Sequence, residues 1–291
     1  MSPNQWAAAL VGVKTLGYAG TLGAAGAVFF LGYAGSLIAN AELLRIRRLM
    51  LACAVLSAAA GAAHIAMTAG SMSGGAAGMW DGSLVRMVWQ GGEGRALEIR
   101  VIGLSLAALA MLTYRPHLWG LLGAAMAATS FAWTGHAQSL SPRVLPVLLL
   151  GAHLLGVAFW MGALAPLSLV AREGTAARIA AVAERFSAVA VFAVAGLIVV
   201  AAPLLWLLLG SVAELWGSSY GRSIALKLTF VAGLLSLAAF NKLRLTPRLR
   251  AGDAGAVRSL RTSIRLEMWL GVIVLAVTAT LTTVAGPPAL D

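Results

Sequence analysis

Long apolar runs separated by short polar stretches organise this chain from end to end. The runs lie near residues 9–38, 49–70, 95–114, 117–138, 143–170, 187–210, 221–241 and 265–285. A helix needs roughly 20 mostly apolar residues to cross a bilayer, so the pattern predicts eight membrane-spanning helices. The first run has no basic segment ahead of it and no small-residue cleavage site behind a short apolar core, so it reads as a retained span rather than a signal peptide. Nothing is left over for a soluble domain. The expected fold is an all-α polytopic membrane protein throughout.

Composition agrees. Of 291 residues, 60% are hydrophobic and 11% charged, with mean hydropathy +0.89, against about 25% charge in an ordinary soluble domain. The charges that remain carry topology. Basic residues gather after the first, third, fifth and seventh runs: Arg45, Arg47 and Arg48; Arg115; Arg172, Arg178 and Arg185; then a dense set from Lys242 to Arg265. Short Lys/Arg-rich loops stay in the cytoplasm, so both termini are expected on the opposite side, the periplasm of a bacterial inner-membrane protein. The net charge of +11 is thus a topology signal beside an anionic leaflet, not a nucleic-acid footprint. The single cysteine, Cys53, excludes an internal disulfide and a multi-cysteine metal cage.

A duplication is written into the runs. Gly26–Gly32 (GAVFFLG) matches Gly156–Gly162 (GVAFWMG) at an offset of 130, Gly94–Arg100 matches Gly221–Lys227 at 127, and Pro116 matches Pro247 at 131. The expected organisation is two four-helix repeats of the same orientation, 1–138 and 139–291, with a site at or near their interface. The spacing of Gly17, Gly20, Gly23 and Gly26 predicts a close helix–helix contact.

Polar residues inside such runs are functional candidates, because burying them in lipid costs free energy unless they bind something. Three of the four histidines qualify: His64, His136 and His153. At about 1.5 Å per residue they sit in the outer half of the membrane, as do Arg100 and Lys227, one per repeat, with Lys14 and Glu98 in the same band. The fourth, His117, falls in a basic turn. Cys53 and His64 share a face of the second run with Met50 and Met67. Thiolate, thioether and imidazole suit copper, Cu(I) above all, and Met72, Met79 and Met87 follow in the outer loop. Packing explains such methionines equally well. A different cofactor fits the same residues: facing histidines of a four-helix bundle can ligate a b-type haem, with Arg100 and Lys227 holding its propionates. Snorkelling to the interface would also explain the two cations, but their matched repeat positions argue for pairing with something anionic, and Glu98 is the nearest acid. Six tryptophans (Trp6, Trp80, Trp89, Trp119, Trp206 and Trp216) near span ends read as interfacial belts. No catalytic residue stands out: there is no nucleophile with a base, no phosphate loop and no HExxH pattern.

Thr134–Ala137 (TGHA), Gly151–Gly162, Arg185-Phe186-Ser187, Tyr220 through Lys227, Asn241-Lys242, Pro247 and Arg265-Leu266-Glu267 together resemble the copper resistance protein D (CopD) family, most densely over residues 134–285. The resemblance implies an inner-membrane protein that handles copper, often alongside a small periplasmic copper carrier of the CopC type, here a separate protein. Two readings follow. In one, copper enters from the periplasm through His64, His136, His153, Met67 and Cys53. In the other, the histidines hold haem.

Overall fold

A computed structural model describes residues 2–112, 118–134 and 144–284. Among these residues the chain is all-helical, without a strand. Six helices are long and apolar enough to cross a membrane: α1 (Pro3–Ala34), α2 (Asn40–Met72), α6 (Val144–Gly162) continued by α7 (Leu164–Glu173), α8 (Ala176–Leu209), α10 (Ser219–Phe240) continued by α11 (Thr246–Arg250), and α12 (Ala254–Thr283). The third and fourth runs form shorter or more polar helices, α4 (Gly92–Ala110) and α5 (Leu118–Thr129), the latter extended by a 3-10 turn to Trp133. Glu93, Arg95, Glu98 and Arg100 make the first half of α4 too charged to count as a span on composition. The segment between α2 and α4 holds a short amphipathic helix, α3 (Gly82–Gln90), and a one-turn helix, α9 (Glu214–Gly217), precedes α10.

Breaks in the long helices have local causes. Pro166 has no N–H for the Gly162 carbonyl, and the helix is interrupted at Ala163 between α6 and α7. Pro247 likewise cannot donate to Leu243, and the chain widens into a π turn over Asn241–Leu245. At the far end of α8 the chain reverses through Gly210 at φ +72°, a conformation glycine adopts without strain.

Helix α1 is the axis of the bundle. Gly20 lies so close to α2 that a Cβ there would stand 2.8 Å from the Cys53 carbonyl and the Ser57 amide. Gly26 meets α6 at Gly162, where a Cβ would stand 2.2 Å from the partner Cα. Thr21 and Ser57 share a buried hydroxyl–hydroxyl bond of 2.7 Å beside the first contact. Small residues that let backbones touch are what drives helix association in lipid, where apolar surface alone gives no net attraction. The two halves of the repeated glycine motif pack differently: Gly32 faces Leu121, and Gly156 faces Leu197.

One end of the bundle collects the basic loops, and several of their charges are paired. Arg45 bonds Glu173, Arg250 bonds Glu184, Arg178 reaches Glu42 at 3.2 Å, and Arg248 reaches Asp253 at 2.7 Å. Arg185 donates to the Tyr33 carbonyl (3.3 Å), and Arg261 donates to those of Ala171 and Arg172. Three of these bonds, Arg45–Glu173, Arg178–Glu42 and Arg185–Tyr33, tie helix ends in α1 and α2 to α7 and α8. Around the rest of the bundle Trp80, Trp119, Trp206 and Trp216 are exposed, as an interfacial belt requires. Trp6 is not: it is 4% exposed and packs on Gly70 of α2.

Candidate functional site

The end of the bundle opposite the basic face contains a small polar cleft. Lys14 and Gly17 of α1, Gly61 and His64 of α2, Glu93 and Arg100 of α4, and Phe131 of the turn after α5 line it. Two close contacts create it. The glycines of α1 draw α2 in, and Gly61 admits the Leu97 side chain of α4, which a Cβ would meet at 2.4 Å. His64 lies eight residues before the end of α2 and Arg100 eight after the start of α4, so both stand about 12 Å from that end.

The charges are held from several sides. Lys14 Nζ is 3.8 Å from Glu93 Oε1 and donates to the Thr282 carbonyl of α12 at 3.3 Å. The Tyr18 hydroxyl bonds Thr282 Oγ1 (3.2 Å), and its ring meets Phe131 edge-on at 4.6 Å. The Arg100 guanidinium sits 3.7 Å above the Phe131 ring and donates through Nε to Ser130 Oγ at 3.0 Å. Buried to 5% exposure, it has exchanged water for a cation–π contact and a charge-assisted hydrogen bond. Two cations, one carboxylate and one imidazole therefore share this cleft. The free space between them, about 20 Å³, is room for one water or one small ion.

The other expected residues lie apart from it. His153 is in α6, with Nδ1 buried and unpartnered, and Lys227 of α10 is the charge it feels. Both sit about 12–14 Å from the N-terminal ends of their helices. Met67 follows His64 by one turn of α2. Cys53 is eleven residues away in the other direction, about 16 Å along the axis, with its Sγ against Gly23 of α1. Among the described residues no three His, Cys, Asp or Glu side chains come together as a metal-binding group. His136 and His117 lie outside the described residues.

Glu93, Ser130, Phe131, Tyr18 and Thr282 were not anticipated. Glu93, not Glu98, is the acid of the cleft: Glu98 points away and accepts from Trp89 Nε1 at 2.8 Å. Trp160 is buried in a second, larger cleft of the other half, described below.

Among the described residues, the space beside His64 amounts to about 20 Å³, and the larger cleft has no histidine on its walls.

Two family profiles match the chain. Copper resistance protein D-like, N-terminal domain, covers residues 4–142; Copper resistance protein D covers residues 180–281. No curated protein and no solved structure matches it.

Proposed function

We propose that this chain, which belongs to the copper resistance protein D family and is a multi-pass membrane protein, moves copper from the outer face of the membrane into the bundle. Copper is the cargo. His64 is its entry ligand, Met67 one turn outward collects it, and Cys53 receives it deeper on the same side of α2; His153 and His136 belong to the same outer-half path. The observation that carries this reading is the position of His64, an imidazole lining a cleft of ionic size about 12 Å inside the bundle, on a helix face that also carries the soft sulfur ligands Met50, Cys53 and Met67. Glu93 gives the cleft its one negative charge, and Lys14 and Arg100 oppose a bare cation.

The orientation that serves this route puts the basic face in the cytoplasm and both termini in the periplasm of a bacterial inner membrane. A separate CopC-type carrier then delivers to the outer end. With α4 and α5 crossing as the third and fourth spans, the chain has eight spans. They form two four-helix halves, 1–138 and 139–291, and the offsets of 127–131 between matching segments support that division.

The test is copper stoichiometry of the purified protein, measured by anaerobic competition against a chromophoric Cu(I) chelator. Ala at His64, His136 and His153 together should lower it without unfolding the bundle, and Met126→Ala should be silent. Unchanged binding in the triple variant removes the copper route. A Soret band in the wild type, lost on mutating His64 or His136, replaces it with the haem reading.

A further inference from the structure

The second half of the bundle contains a cleft of about 360 Å³ among α6–α8 and α10–α12. Its walls are apolar, with Trp160, Leu167, Phe186, Val194 and Leu235 among them. Its polar groups gather toward the basic face: Glu267 of α12, Asn241 and Lys242 of the π turn, Thr246 of α11 and Ser187 of α8. Lys242 is exposed there and, among the described residues, is the only other charged side chain lining the cleft.

Glu267 is 2% exposed. Asn241 donates to it, Nδ2 to Oε1, at 2.5 Å, and Ser263 lies beside it one turn earlier on α12. No cationic group of the described residues is within ion-pair distance. A carboxylate taken out of water with so little compensation is strongly disfavoured, and more so at membrane depth. A second defect lies next to the first: Asn241 Oδ1 is buried and has no hydrogen-bond donor. One proton repairs both. A neutral Glu267 carries no charge to solvate, and its O–H supplies the donor that Asn241 Oδ1 lacks, while Nδ2 continues to donate to the other side of the pair. Acid and amide then satisfy each other completely. The π turn sets this up, because it presents Asn241 from a widened stretch of α10 whose hydrogen bonding is already diverted: Thr246 Oγ1 donates to the Asn241 carbonyl at 2.9 Å.

We propose that Glu267 and Asn241 form an intramembrane proton-binding site, with the proton held on Glu267 and exchanged with the basic face through the cleft past Lys242. Release leaves a carboxylate hydrogen-bonded by Asn241, with the Lys242 charge at the mouth. The site does not depend on what the outer cleft carries.

Infrared spectroscopy of the full-length protein in nanodiscs tests this. Wild type at pH 7 should show one carboxylic-acid carbonyl band that Glu267→Gln removes, that shifts in D2O, and that moves when Asn241→Leu deletes its partner. Gln preserves the hydrogen bond with Asn241, so this variant is expected to fold; gel filtration and thermal unfolding check it. If it does not fold, wild-type protein with isotope-labelled glutamate reports the same band. The absence of a protonated band at pH 7 overturns the proposal, as does a band that fails to exchange in D2O. A band abolished by Na+ at constant pH assigns the site to a metal cation instead.

Discussion

The two clefts put buried charge to opposite uses. At the outer end, Lys14, Glu93, Arg100 and His64 crowd a space of about 20 Å³, and each charged group has a partner: an opposite charge, a carbonyl, a hydroxyl or an aromatic face. Nearer the basic face, Glu267 stands in a cleft of about 360 Å³ with one amide donor and no counter-charge. The first is organised around fixed charges that partner one another. The second is organised around a group whose charge is conditional. A membrane protein that only needed tight packing would have neither, since both hold polar groups where lipid-facing helices exclude them.

Separating α1 from α2 should break the comparison most severely. Gly20→Leu forces a side chain into the Cys53 carbonyl and the Ser57 amide, backbone atoms that cannot rotate away. We expect a loss of about 3 kcal/mol or more, the upper end of overpacking effects, and loss of copper binding at His64. The inner cleft is built from α6 to α12, so the Glu267 carboxylic-acid band should survive. Thermal unfolding, chelator competition and infrared spectra on one preparation decide this. Simultaneous loss of both sites would show the bundle to be a single cooperative unit.

The cations sharpen the comparison next. Arg100→Gln removes a charge-assisted bond to Ser130 and the stacking on Phe131, and should cost about 1.5–3 kcal/mol. If the cargo is a metal ion, copper affinity should nonetheless hold or tighten, because a repelling charge has gone. Lys227→Gln beside His153 should act with the same sign. Glu93→Gln should act with the opposite sign and weaken binding. Weakening by Arg100→Gln and Lys227→Gln together would mean that the ligand carries negative charge, as haem propionates do.

Much of this was legible in the sequence, for reasons that also mark where legibility stopped. Apolar run length locates the long helices because hydrocarbon thickness is a fixed ruler. The glycine spacing of α1 exposes its contact with α2 because only small residues allow that approach. The polar band holding His64 and Arg100 follows from helix rise alone. The partners did not follow. Glu98 stands two residues from Arg100, and residues two apart on a helix do not face each other; Glu93, seven away and on the same face as Arg100, is the acid that enters the cleft. Trp6 resembled a belt residue, but Gly70 opens a slot for it on α2. The Asn241–Glu267 pair joins residues 26 apart through an amide, with no charge complementarity to announce it. The outer loop was read as a methionine-spaced segment, which concealed the amphipathic α3 within it.

That helix gives the smallest expected effect. Asp81 caps α3, with Oδ1 accepting from the Ser83 hydroxyl (2.5 Å), the Ser83 amide (2.8 Å) and the Leu84 amide (3.3 Å). The Ser83 hydroxyl, then the two amides, hold its carboxyl below the ordinary aspartate range. The sign follows from linkage: a depressed folded-state value adds stability above the unfolded value, near pH 3.9, and that stability is lost as pH falls through the folded value. Asp81 is fully exposed, so the effect should be local. Asp81→Ala should raise hydrogen exchange at the first amides of α3 at neutral pH. In the wild type the same protection should fade on acidification below about pH 4, which the variant should no longer show. Neither change should move the Glu267 band. If Asp81→Ala also weakens copper binding, then α3 with its Met87, and Met79 just before it, belong to the outer site; if binding is unchanged, the cleft at His64 receives its ion without them.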